Sequence, residues 1–107
     1  MTEQKKTRRE LLEDFVAKKP DDAFSRYGLA MECMNSGDPA SADTHFRALL
    51  DRNAEYIPAY LMYGQLLARE SRTAEAKQVL SNGIAAATKA RNDHARSEME
   101  TLLNDIS

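Results

Sequence analysis

Shifted against itself by 34 residues, this chain matches like with like. Leu29 falls on Tyr63, Ala30 on Gly64, Cys33 on Leu67, Gly37 on Ser71, Ala42 on Ala76 and Phe46 on Leu80. Small residues meet small ones and large apolar residues meet large apolar ones, so two segments are copies of one structural unit. The copy also accounts for an oddity in YLMYGQLLARESRTAEAKQVL, Tyr60 to Leu80, which reads as a helix, a short break and a second helix. Gly64 lies in the middle of the first of these helices, where glycine costs about 1 kcal/mol relative to alanine. A glycine held there implies a close approach, such as that of another backbone, that leaves no room for a side chain. Ala30 has the same place in the other copy.

The period and the residues that carry it resemble the tetratricopeptide repeat, with its W-x2-L-G-x2-Y, A-x3-F and closing P. The second unit reads Tyr60-x2-Tyr63-Gly64-x2-Leu67 and Ala76-x3-Leu80; the first reads Arg26-x2-Leu29-Ala30-x2-Cys33 and Ala42-x3-Phe46. Arg26 replaces the aromatic residue, Cys33 replaces the tyrosine, and Ala54 and Thr88 stand where each unit would close on proline. Pro20 lies 34 residues before Ala54, so the helix holding Leu11, Leu12, Phe15 and Val16 reads as the second half of a truncated unit. The resemblance implies two antiparallel helices per unit, drawn together at Ala30 and Gly64. It places Gly83 at a further small position of an unbroken helix, although Asn82-Gly83 alone would signal a turn. It is a resemblance to small two-pair proteins of a bacterial type.

Local signals set the boundaries. Thr7-x-x-Glu10 before Leu11 is a capping box. Gly37-Asp38-Pro39 stops one helix, caps the next and fills its first turn. Pro58 suits a first turn, Thr73 is the candidate cap of the helix holding Glu75 to Leu80, and Asn92 or Asp93 caps a last helix. In that helix Ala95, Met99, Leu102, Leu103 and Ile106 keep helical spacing while Ser97 and Glu98 break the signature, as in a helix that covers the end of a solenoid. The expected fold is all-α: a right-handed α-solenoid of antiparallel helix pairs with about six helices. A disordered tail over residues 1–6 precedes one domain over 7–107, made of a leading helix (7–19), two repeats (22–54 and 56–90) and a capping helix (93–106). Helices this short are marginal alone, so packing between neighbours must stabilise them.

Composition narrows the functional classes. With 42% hydrophobic and 30% charged residues and a mean hydropathy of -0.62, the chain reads as a soluble globular protein. No apolar run approaches the roughly 18 residues of a spanning helix, and MTEQKKTRRE has no apolar leader segment, so no membrane is expected and the compartment is the cytoplasm. A net charge of -2 gives no field for nucleic acid; Lys5, Lys6, Arg8 and Arg9 read as a solvated face, as do Glu10, Glu13 and Asp14. Cys33 has no disulfide partner and reads as a buried, inert thiol. His45 and His94 lie on different helices without acidic or thiol partners at ligand spacing and read as surface residues, so no metal, cofactor or catalytic site is expected. No phosphate-binding loop or nucleophile elbow is present.

The resemblance implies a non-enzymatic protein-protein interaction module whose first helices line a concave groove. By register the lining is Phe24, Tyr27, Met31, Met34 and Asn35 from one helix and Leu61, Gln65, Ala68 and Arg69 from the next. Such a surface suits a helix or extended apolar segment of an unidentified protein or peptide, oriented by Asn35, Gln65 and Arg69. The lysine, asparagine and arginine clamp with which some relatives grip a C-terminal carboxylate is replaced at Tyr27 and Met31, so an acidic tail is not the expected ligand. Two alternatives stay open: the last helix folds across the groove and buries Met31, Met34 and Met99 together, or the groove or an uncovered helix face pairs with a second copy to give a homo-oligomer.

Overall fold

In a computed structural model that describes residues 5–107, helix α1 (Arg8–Lys18) begins at its capping box. The Thr7 hydroxyl accepts the Glu10 N–H at 3.1 Å, and the Glu10 carboxylate accepts the Thr7 N–H at 2.9 Å. Of the tail expected over residues 1–6, residues 1–4 lie outside the described ones; Lys5 and Lys6 are exposed and non-helical, with Lys6 paired to Asp14. Arg9 departs from the solvated face. It is half-buried and donates to Asp38 at 2.9 Å and Ser41 at 3.2 Å, tying α1 to the start of the helix that begins at Pro39.

One turn type is used three times. After α2 (Ala23–Asn35), Gly37 takes φ 79°, its N–H bonds to the Met34 carbonyl, and the Asp38 N–H reaches the Cys33 carbonyl at 2.9 Å. This paired closure satisfies carbonyls that the helix end leaves open. Asp38 then caps α3 (Pro39–Arg52) by accepting the Ser41 N–H. The closure recurs between α4 (Ile57–Arg69) and α5 (Thr73–Lys89), with Ser71 at φ 62°, and between α5 and α6 (Asp93–Ile106), with Arg91 at φ 57°. Thr73 is the first residue of α5 and not its cap. The cap position is Arg72, whose guanidinium pairs with Glu75 and Asp43. Asn92 is the side chain that caps α6, accepting the Ala95 N–H at 3.1 Å.

Among the described residues there are six helices and no strands, an all-α fold of the tetratricopeptide type. Helices α2 and α3 form one antiparallel pair and α4 and α5 the next; α1 packs on α2, and α6 on α5 and α4. A first core gathers Val16, Leu29, Cys33, Phe46, Leu49, Tyr63 and Leu67. A second gathers Ile57, Tyr60, Leu80, Ala87 and Met99. Half-buried Asp43 of α3 ties in α4 and the start of α5, accepting from the Tyr63 hydroxyl, from Arg47 at 3.0 Å and from Arg72 at 3.3 Å.

The close approach at Gly64 is to a side chain and not to bare backbone. A Cβ there would lie 2.6 Å from Leu80 Cδ2 and 2.8 Å from Leu80 Cγ. In the first unit the pair equivalent to Gly64 and Leu80 is Ala30 and Phe46, both fully buried. Helix α5 runs unbroken through Gly83, where a Cβ would fall 2.5 Å from both Tyr60 Cβ on α4 and Met99 Sδ on α6.

Candidate partner-binding groove

Helices α2, α4 and α6 form one side of the molecule. Tyr27 of α2 stacks at a tilt 5.4 Å from Tyr56, at the entry to α4. Helix α6 runs beside α4 in the same direction, since Ile57 to Met62 share a depression with Asn92 to Met99, and Leu61 and Gln65 share the next with Glu98 to Asp105. The two hollows, about 260 and 270 Å³, are continuous through Leu61 and Glu98.

Of the residues assigned to the groove, Phe24 is 75% exposed, and Asn35 and Arg69 are exposed. Tyr27, Met31, Leu61, Gln65 and Ala68 are half-buried. Met34 is not a lining residue: it is 7% exposed and belongs to the first core, where its flexible thioether fills space among larger side chains. Nor does α6 fold across the face. Met34 and Met99 lie in different cores, α6 does not pack on α2, and Met31 keeps a partly open surface. Instead α6 adds a third wall carrying His94, Glu98, Thr101, Leu102 and Asp105. Sequence reasoning missed that wall, although Glu98, Thr101, Leu102 and Asp105 follow the spacing of one helical face.

The larger hollows, about 560 and 380 Å³, lie along α5 and not along the α2–α4–α6 side. Two of their polar groups are engaged within the fold: the Tyr60 hydroxyl donates to the Ala54 carbonyl at 2.5 Å, and Glu75 is held by Arg72. The Cys33 thiol is fully buried and burial pushes its pKa up, which opposes a thiolate. His45 is half-buried and not a surface residue, with Nδ1 buried and unpartnered. Burial and then the nearby Arg26 and Arg9 lower its pKa, keeping the ring neutral. Among the described residues no group of three His, Cys, Asp or Glu could hold a metal ion, and no helix is long and apolar enough to cross a membrane.

No protein-family model matches the chain. A TPR repeat-containing protein of Pseudomonas aeruginosa is 27% identical over 95 residues, covering 89% of this chain and 90% of that one. Among solved structures, a tetratricopeptide repeat domain protein from Salinibacter ruber is 27% identical with a TM-score of 0.77, over 82% of this chain and 89% of that one. The TPR2B domain of yeast Sti1, solved as a complex with pHsp70, has a TM-score of 0.85 over 92% of this chain and 78% of that one. At 13% identity it shows the shared fold alone.

Proposed function

We propose that this chain, a tetratricopeptide repeat protein, is a cytoplasmic, non-enzymatic module that binds a segment of a partner protein along the α2–α4–α6 face. The observation that carries the reading is the 75% exposure of Phe24 on the same side as half-buried Tyr27, Met31 and Leu61. Apolar surface of this kind on a monomer marks an interaction site more often than chance placement. The Sti1 domain, solved with pHsp70, supports it by analogy of fold.

The test is capture of partners from cytoplasm by the parent chain and by Phe24→Glu combined with Leu61→Glu, identified by mass spectrometry. The double variant loses the captured partner while Phe24→Glu alone shifts unfolding by less than about 0.5 kcal/mol. Unchanged capture refutes the groove. A second reading, self-association, is favoured by Leu11 at 58% and Phe15 at 45% exposure on α1. The repeat equivalent of Phe15 is Leu49, which is fully buried, so α1 presents the face of a second helix without its first. Light scattering over a concentration series decides this, and a monomer at every concentration removes it.

A further inference from the structure

We infer that the segment bound by this groove is a cationic amphipathic helix, with basic residues seven apart on one face and apolar residues between them. The inference rests on the groove reading above and names its ligand. The two hollows share an apolar floor at Leu61, extended by Ala95 and Leu102; the carboxylates lining them are Glu98 and Asp105, with the His94 ring beside Glu98, and no lysine or arginine lines either. Several acidic side chains elsewhere are answered by arginine, Glu13 and Asp38 by Arg9, Asp43 by Arg47 and Arg72, Glu100 by Arg96, and it is the position of Glu98 and Asp105 on the rim of the apolar hollows that sets them apart. Among the described residues Glu98 meets only His94, at 3.2 Å, and Asp105 has no ion pair or side-chain hydrogen bond.

Glu98 and Asp105 are two helical turns apart, about 10.5 Å along α6 at 1.5 Å per residue. A docked helix repeats that spacing with residues i and i+7, and its i+3 and i+4 side chains then meet Leu61 and Leu102. An extended segment places residues on one side only at multiples of two, about 6.7 or 13 Å, and matches the carboxylates less well. Opposed charges beside an apolar floor set orientation and partner choice and make binding salt-dependent.

The experiment titrates three synthetic helical peptides of equal length into the isotopically labelled full chain and reads amide shifts and affinity. The first has lysine at i and i+7 with leucine at i+3 and i+4; the second has glutamate for both lysines; the third has serine for both leucines. The first is expected to shift Leu61, Glu98 and Leu102 and to bind at least tenfold tighter than the other two, weakening as salt rises. Glu98→Lys with Asp105→Lys, both at exposed positions and checked for unchanged helicity, should reverse the preference toward the second peptide. Equal affinity for the first two peptides, or a double variant that keeps the original preference, overturns the inference. Binding of the third as tightly as the first overturns it too, because charge alone would then suffice. If the glutamate peptide moves Tyr27, Leu61 and Leu102 and the lysine peptide does not, the groove stands and the ligand class falls. If no peptide moves that face, both fall. Concentration-dependent shifts without peptide, abolished by the double reversal, assign the face to a second copy and also refute the cationic helix.

Discussion

Replacing each of the three helical glycines with alanine should move stability in a different way, because the space around them differs. Alanine gains about 1 kcal/mol over glycine in a helix interior. At Gly28 the nearest atom to a new Cβ is Leu12 Cδ2 at 3.5 Å, an ordinary contact, so Gly28→Ala should keep most of that gain. At Gly64 the Cβ falls 2.6 Å from Leu80 Cδ2, and Leu80 is fully buried. Overpacking of about 1–3 kcal/mol offsets the gain and leaves Gly64→Ala between neutral and about 2 kcal/mol destabilised.

At Gly83 the obstacle is less yielding. Met99 Sδ, at 2.5 Å, is far along a flexible side chain, but Tyr60 Cβ, also at 2.5 Å, is one bond from the backbone of α4. Ordinary contact begins at 3.4 Å, so α4 and α5 must part by about 0.9 Å. The expected net loss for Gly83→Ala is about 2 kcal/mol, the upper part of the overpacking range less the helix gain. Urea unfolding of the three variants with unchanged slope measures the order directly, and melting points should spread by about 4 °C or more per kcal/mol. A Gly83→Ala protein as stable as the parent would show that α4, α5 and α6 do not converge there.

The turns and the buried histidine give further tests. Ser71 takes the left-handed conformation that Gly37 takes 34 residues earlier, so Ser71→Gly should stabilise by about 0.5–1 kcal/mol, the relief of strain less the added chain entropy. Gly37→Ala should destabilise by about 1 kcal/mol or more for the same reason; urea midpoints check both. The His45 pKa lies below the ordinary 6.5 in the folded state, chiefly through burial and then through Arg26 and Arg9, against smaller opposite effects of Glu13 and Asp38. The unfolded chain therefore binds the proton more readily, and stability, full above about 6.5, falls as pH drops through the folded value. The urea midpoint of the parent should decline as pH falls below about 6.5, and His45→Gln should flatten that decline; an equal decline in both assigns it to other groups.

The fold was legible because its signals are local or periodic. Thr7 and Glu10, Asp38 and Asn92 cap through their own neighbours, and the 34-residue copies repeat the same packing. Arg26 shows a substitution that a pattern hides. The Tyr60 hydroxyl donates to the Ala54 carbonyl, and Arg26 Nη2 donates at 3.3 Å to the Pro20 carbonyl, whose place is the same 34 residues earlier. A guanidinium thus does the polar work of a phenol while its stem covers apolar surface. What stayed hidden depends on neighbouring elements. Met34 turns into the core although its register points to the groove, and His45 is enclosed by residues from α1 and α2 that no spacing within α3 reveals. Thr73 lost its cap because the left-handed turn at Ser71 begins the helix with Arg72 at the cap position.

The last helix both closes the solenoid and forms the third wall of the candidate groove. Helix α5 has 17 residues where α3 has 14, and it ends in the left-handed turn that α2 and α4 use, so α6 folds back as a hairpin partner of α5. Successive residues of a helix turn by 100°, which divides α6 into three sectors around Met99. Met99, with Ala95 and Ile106 beside it, faces the second core, where its sulfur fills the space that Gly83 leaves. Arg96 and Glu100, paired at 2.7 Å, take one flank and supply the polar cover a terminal repeat requires. Glu98, Thr101, Leu102 and Asp105 take the other flank and complete the wall beside Leu61. Cap and wall are two flanks of one helix anchored at Gly83, so a change that loosens the Met99 contact displaces both at once, and the proposed groove should lose its shape together with the stability of the solenoid end.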